Sequence, residues 1–405
     1  MFKKSIFEVS VIDEEKYIEH IIERLSLHYL TRATRGVTRA EYWLRQYSAR
    51  VFTCFILSEH DLGFVSGASL HNVNDNVIPR DIGVLVIIDK PSTLNEYSLA
   101  HKTLRCYCAA QNYTLDIIYL QANLTYSTIC PQENFFLQRH CATVEYMRRN
   151  SRLKWILFLD ADIGVINPRH EIEEFIHERT DAEIELIFFE RLITWEIMAG
   201  SYLAKNTPFV HDFLTEWANY VSNDAFHQDD QGPLHQVFIE RFAPSHAVTN
   251  ICEKLYNNSM TFWPYMDYVA CARSVLGIDT RTFGSHIKLI RRGDAWTRDG
   301  HHSESAGETV APVTSFWSDR DFMMHSWKES SKLWKRPFVN NDTFQLEKCR
   351  LSSNRSRETM FEENWRYNET LRKSDKDIEE IIDKVRKDAI DGYEKSLKNI
   401  ALEEI

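Results

Sequence analysis

No stretch of this 405-residue chain approaches the ~20 consecutive apolar residues that a membrane-crossing helix requires. The start, Met1-Phe2-Lys3-Lys4-Ser5-Ile6-Phe7, has basic and apolar residues, but Glu8, Asp13, Glu14 and Glu15 break any secretory-signal pattern. Membrane association is therefore expected only through an anchor not visible in this sequence. Positive charge is also short. There are 48 Lys and Arg against 59 Asp and Glu, a formal net charge of −11, which argues against nucleic acid as the main partner. The eight cysteines lack zinc-ligand spacing, and Cys106-x-Cys108 is too close for a zinc knuckle. Internal repeats and low-complexity segments are absent as well.

The chain is 43% hydrophobic, enough to bury a large core in one large domain or two. Eight cysteines allow up to four disulfides in an oxidising compartment, or eight buried thiols in a reducing one. Asn-x-Ser/Thr sequons stand at Asn112, Asn123, Asn257, Asn341, Asn354 and Asn368. Chance would supply about two or three. These features lead to an expected location in the secretory pathway.

The pattern divides the chain into an extension over 1–80, a catalytic-type core over 81–330 and a charged, largely helical extension over 331–405. Residues 14–29 have near-helical apolar spacing, Arg32, Arg35, Arg39, Arg45 and Arg50 form a basic stretch, and 66–79 reads as a loop. The core alternates apolar runs with helical segments. Strands are predicted over 82–89, 115–120, 154–160 and 182–190, and helices over 97–111, 133–150, 172–178, 208–221 and 233–242. The order β-α-β-α-β predicts parallel strands with helical crossovers. The expected fold is α/β, a Rossmann-like, mixed but mostly parallel sheet flanked by helices. From 374 onward charges alternate without a strong apolar stripe, which reads as a solvated helix.

The chemistry concentrates at Asp160-Ala161-Asp162. The run Lys154-Trp155-Ile156-Leu157-Phe158-Leu159 reads as a buried strand ending in two carboxylates. Side chains alternate along a strand, so Asp160 and Asp162 project the same way. They lie at its carboxyl end, where open α/β sheets bind ligands. Two hard oxygen donors suit Mn²⁺ or Mg²⁺ beside a diphosphate. Asp89, ending the first strand, is a further candidate on the nucleotide side. His325 is a candidate third metal ligand, and Lys328 a candidate phosphate partner. Asp229, Asp230 and Gln231 open a helix. A carboxylate there suits a general base or the stabilisation of an oxocarbenium-like centre, and Gln231 suits a sugar hydroxyl. Glu196 is a weaker candidate, with Trp195 as a stacking face. Each also has a plainer reading: strand-end turn, helix cap or ordinary structural residue.

The stretch from Trp155 to Pro168 resembles the GT-A-type glycosyltransferases. So do Trp195-Glu196-Ile197-Met198-Ala199-Gly200-Ser201-Tyr202-Leu203, Asn206-Thr207, His227-x-Asp229-Asp230-Gln231-Gly232 and Met324-His325-Ser326-Trp327-Lys328. The set covers roughly residues 80–330. It looks closest to a nematode-expanded family catalogued as a domain of unknown function, itself similar to the fungal and plant galactosyl-, mannosyl- and xylosyltransferase group. The resemblance implies Mn²⁺-dependent transfer from a UDP- or GDP-sugar to a glycan or glycoprotein hydroxyl. It implies Asp160, Asp162 and His325 as metal ligands, with Asp160 nearer the ribose or a metal-bound water, and Asp230 and Gln231 facing the transferred sugar. The better-studied families usually carry Gly near the late His; this chain has Ser326.

Two other readings compete. Asp-x-Asp after an apolar strand also opens the haloacid-dehalogenase-like, Mg²⁺-dependent phosphatases, in which the first Asp is a nucleophile. That pattern wants Thr or Val where Gly164 stands, and it occupies the first strand of its domain, whereas two strands precede it here. A secreted, non-catalytic binding protein of the same fold is the other.

Overall fold

The computed structural model describes residues 80–176, 183–220, 229–243, 246–278, 281–298, 315–331, 334–339, 344–350 and 355–403. All of them lie in one compact unit, Ser66–Ile405. The expected elements over 14–29 and 66–79, the basic stretch between them, His227, and the sequons Asn341 and Asn354 lie outside the described residues.

The strands are β1 (Ile82–Ile88), β2 (Thr114–Tyr119), β3 (Trp155–Leu159), β4 (Gly164–Val165), β5 (Leu186–Phe189), β6 (Ser201–Lys205), β7 (Arg281–Phe283), β8 (Ile287–Ile290), β9 (Thr297–Arg298) and β10 (Met323–Met324). The helices are α1 (Ser98–Gln111), α2 (Leu124–Ile129), α3 (Phe135–Arg149), α4 (Pro208–Ala218), α5 (Gln231–Phe242), α6 (His246–Asn258), α7 (Phe262–Leu276), α8 (Arg357–Asn364) and α9 (Asp375–Glu403). A seven-stranded sheet runs β2-β1-β3-β6-β5-β8-β7, and a three-stranded one β4-β10-β9. The fold is mixed α/β. β1 pairs in parallel with β2 and β3, as does β5 with β8. β6 runs against both β3 and β5, and β7 against β8. Two reversals about β6 leave β1, β3, β5 and β8 with their carboxyl ends on one edge.

Burial explains why the strands read so clearly. All seven residues of β1 are buried, as are four of the five in β3. Strands covered on both faces lose the polar alternation of half-exposed ones, and each buried Leu or Ile contributes roughly 1.5–3 kcal/mol. The helices start at local signals. Asn134 Oδ1 accepts the backbone N–H of Phe136 (2.8 Å) and caps α3, and α4 begins with Pro208.

α9 departs from the solvated helix expected of its charge pattern. Ile378, Ile382, Val385, Ala389 and Tyr393 are buried, and α9 packs against α7. The spacing is helical, but one or two apolar residues per turn among many charges make a faint stripe. Of the seven described cysteines, six are bridged: Cys106–Cys349, Cys130–Cys141 and Cys252–Cys271. Cys108 is a buried free thiol. The sequon at Asn112 sits on a buried side chain that ends α1 in a left-handed conformation (φ 62°), out of reach of glycosylation, whereas Asn257 is exposed. None of the described helices is long and apolar enough to cross a membrane.

Candidate metal and donor site

Two short strands bring together residues that stand far apart in sequence. β4 begins two residues after Asp162, and its partner β10 ends one residue before His325. The Trp327 N–H donates to the Asp162 carbonyl (2.9 Å), and the His325 N–H to the Arg298 carbonyl (3.1 Å). The Trp327 ring lies so close over Gly164 that any Cβ there would collide with it. Gly200 is required for the same reason: a Cβ would overlap the Asp160 carboxylate. This also explains why Thr or Val does not occupy position 164.

The result is a cluster of Asp160, Asp162 and His325, whose ligand atoms all lie within 4.8 Å of one another. His325 Nε2 is 3.2 Å from Asp162 Oδ1 and 3.7 Å from Asp160 Oδ2. Lys328 Nζ is 3.5 Å from Asp162 Oδ2. The two carboxylates differ. Burial pushes Asp162 up, but His325 and Lys328 outweigh it and hold the group well below the usual carboxylate range. Burial raises Asp160, with Asp162 adding to it against the pull of Arg139. Two carboxylates and an imidazole form a donor set that could hold a divalent metal ion.

Arg139, on α3, joins this cluster to a second group. One nitrogen, Nη1, meets Asp160 Oδ1, while Nε and Nη2 donate to Asp230 Oδ2 at 3.0 and 2.6 Å. His140 Nε2 donates to the same Asp230 oxygen (2.8 Å), and the Tyr202 hydroxyl satisfies its Nδ1 (3.0 Å). His140 also stacks on Trp217, with centroids 3.4 Å apart. Burial keeps it neutral, lowering its pKa to about 4. Burial would raise Asp230, but Arg139 and His140 hold it below the ordinary value.

The other sequence candidates are placed as follows. Gln231 is committed at both ends, accepting the Ala199 N–H (3.1 Å) and donating to the Ile197 carbonyl. His235 continues that clamp. Its Nε2 accepts the Ile197 N–H (3.1 Å), and its Nδ1 donates to the Gln231 carbonyl (2.8 Å), so the ring is neutral. Asp229 stands at φ 56° with its side chain partly shielded, and that partial burial and Asp230 raise its pKa. Glu196 is buried, bonded to Thr194 and Tyr265 at 2.8 Å each. Trp195 does not offer the stacking face expected of it: it is buried, with its indole N–H on the Met266 carbonyl. Asp89 lies at the same sheet edge but outside the cluster, accepting from Gln121 (2.9 Å).

Sequence reasoning missed Arg139, His140 and His101. Arg139 and His140 carried one usable signal, two basic residues following the apolar run Phe135-Phe136-Leu137 on a helix that proved buried on that face. His101 is buried against the Ala161 backbone, and neither ring nitrogen completes a hydrogen bond among the described residues.

Fold and cluster together define a mixed α/β protein with a carboxylate-histidine site at the carboxyl edge of its sheet. A model of the family described as "Protein of unknown function, DUF273" matches residues 104–339, more than half of the chain, which spans the whole cluster. The chain belongs to that family. No curated protein matches it. Among solved structures it is similar to a glycosyltransferase involved in the glycosylation of the major capsid of PBCV-1, at 12% identity and a TM-score of 0.35, over 60% of this chain and 92% of that one. It is also similar to A197 from STIV, at 9% identity and a TM-score of 0.24, over 38% and 75%. Likeness at this level speaks to neither activity nor site.

Proposed function

We propose that the chain is a metal-dependent glycosyltransferase that moves a hexose or pentose from a UDP- or GDP-sugar to a hydroxyl of a glycan or glycoprotein. The observation that carries this reading is the convergence of Asp160, Asp162 and His325 at the carboxyl edge of the sheet, with Lys328 beside them. Asp160, Asp162 and His325 would hold Mn²⁺ or Mg²⁺, which neutralises charge developing on a leaving diphosphate. Lys328 is half exposed and supplies a further positive charge toward that diphosphate. Arg139 fixes the Asp160 carboxylate and keeps Asp230 ionised, so that Asp230 presents negative charge on the sugar side of the site. Gln231 acts through the backbone, holding the 197–199 segment against α5. Asp229 is a candidate general base toward the acceptor hydroxyl in this reading, whereas Glu196, bonded to Thr194 and Tyr265, supports the loop beside the site. The phosphatase alternative is less favoured, because the motif lies on a central strand, third in chain order among the described residues, and Gly164 is demanded by the Trp327 ring. Three disulfides among the described residues support action in the secretory pathway.

The test is a panel of UDP- and GDP-sugars incubated with the protein, with Mn²⁺ and with chelator. The expected outcome is metal-dependent release of UDP or GDP, lost by more than about 100-fold in Asp162→Ala, with the Mn²⁺ affinity measured directly by calorimetry falling in parallel. Phosphate release from p-nitrophenyl phosphate, with no nucleotide released, would establish the phosphatase instead. No turnover and no metal-dependent thermal shift with UDP would leave the binding protein.

A further inference from the structure

Beneath the loop that carries Glu196 lies a second charged cluster, unused by the reading above. Glu190 follows β5, Arg292 follows its parallel neighbour β8, and Arg273 comes from α7. All three are 1% exposed or less. Arg273 Nη2 pairs with Glu190 Oε1. Glu190 Oε2 faces the Arg292 Nε (3.4 Å) and backbone N–H (3.3 Å), and Arg292 Nη1 donates to the Thr194 carbonyl (3.1 Å). One carboxylate thus faces two guanidiniums. Three donors, Arg273 Nε and Nη1 and Arg292 Nη2, have no hydrogen-bond partner among the described residues. α9 seals the cluster from outside. Arg386 Nε donates to the Arg292 carbonyl (3.0 Å), and Ile382 packs over Gly293. Arg386 brings its own carboxylates, Asp294, Glu379 and Asp383, and these pair with its guanidinium. Arg281 is a further cation near Arg273, and burial, opposed by Glu190 and reinforced by Arg292, lowers the Arg273 pKa to about 10.

We propose that Arg273 and Arg292 bind a small inorganic anion of the size and charge of chloride. A buried guanidinium without a counter-charge is costly, and so is each unmet N–H. A monovalent anion answers both, bringing the cluster from +1 to neutral while accepting from the unmet donors. Water would satisfy the donors and leave the charge. Full burial of all three side chains excludes a phosphate ester or a sugar acid, which would need a path to solvent. Through Arg292, Thr194 and the Thr194 hydroxyl on Glu196, the bound anion braces the loop over 190–200.

The experiment is a halide titration of the intact chain followed by thermal melting, with gluconate replacing chloride at constant ionic strength, and a crystal grown in bromide. The site predicts a saturable rise of about 2 °C in chloride or bromide over gluconate. It also predicts an anomalous bromide peak between the two guanidiniums. Arg292→Gln, in which Glu190 and Arg273 balance, loses the halide response. The peak is decisive. A melting shift without it places the halide elsewhere and overturns the proposal, as does equal melting in all three salts with no peak. If Arg292→Gln does not fold, the bromide peak in the native chain settles the matter.

Discussion

Two ionic clusters sit along the carboxyl edge of one sheet and are charged in opposite senses. At β3, three carboxylates (Asp160, Asp162 and Asp230) face Arg139 and Lys328, with His140 neutral and His325 counted as the neutral imidazole that a metal ligand must be. At β5 and β8, two guanidiniums face Glu190. The first cluster opens to solvent, with the Asp160 side chain 22% exposed and Lys328 50%, whereas the side chains of the second are at most 2% exposed. The same framework therefore prepares a reachable site of surplus negative charge, suited to a cation, and a sealed one of surplus positive charge, suited to an anion.

The largest test of that contrast is a matched pair of neutralising substitutions. Glu190→Gln strands two buried guanidiniums without their carboxylate, and should cost about 3–5 kcal/mol in urea denaturation. Asp160→Asn removes a charge that burial and Asp162 already disfavour, while keeping an oxygen for Arg139. Its stability should be unchanged or slightly raised, while its Mn²⁺ affinity falls by more than about 100-fold. Equal losses of stability would show that both clusters are merely structural.

Acid should weaken the cation-site side. His101, His140 and His235 are buried and neutral, with burial lowering their pKa values to about 4, about 4 and about 3. An unfolded His titrates near 6.5. Between those values the unfolded chain binds more protons, so stability is full above pH ~6.5 and lost as pH falls toward 4. The loss is on the order of 3 kcal/mol per histidine. His235 is the clearest case, because protonating Nε2 would set one N–H against the Ile197 N–H. Denaturation midpoints at pH 7, 5.5 and 4.5 check the slope; a flat profile would mean that these rings are charged in the fold.

The two clusters were not equally legible in the sequence. Asp160, Asp162 and the strands around them stand out, because a doubly covered strand must be apolar throughout and its end is marked by the change to charge. His325 could be proposed because a ligand residue keeps its chemistry wherever it sits, although only the β4–β10 pairing brings it to the carboxylates. Arg139 was not legible. Its role depends on Asp230, 91 residues on, and an Arg on a helix reads as solvated. Glu190 and Arg292 were hidden in the same way: they stand 102 residues apart and meet only because β5 pairs with β8. α9 was misread because its buried stripe is thin among charges.

The smallest effect concerns how the cation site is closed. Ser326 has φ 75°, the left-handed region that favours glycine. The turn is functional in form. It sets His325 on one side and Lys328 on the other of the same Asp162 carboxylate, while the Lys328 N–H returns to the Ser326 carbonyl (2.9 Å). A side chain there costs roughly 1–2 kcal/mol, and glycine's extra freedom in the unfolded chain gives back about 0.5–1 kcal/mol of any gain. Ser326→Gly should therefore raise stability by up to about 1 kcal/mol and leave Mn²⁺ affinity intact. Ser326→Val, whose branched Cβ resists positive φ, should lower both, since the turn cannot relax without withdrawing His325 or Lys328. Thermal melting and Mn²⁺ calorimetry on the two variants separate strain from ligation. If valine lowered stability but not affinity, the left-handed turn would matter to folding alone, and the site would owe its shape to the β4–β10 pairing.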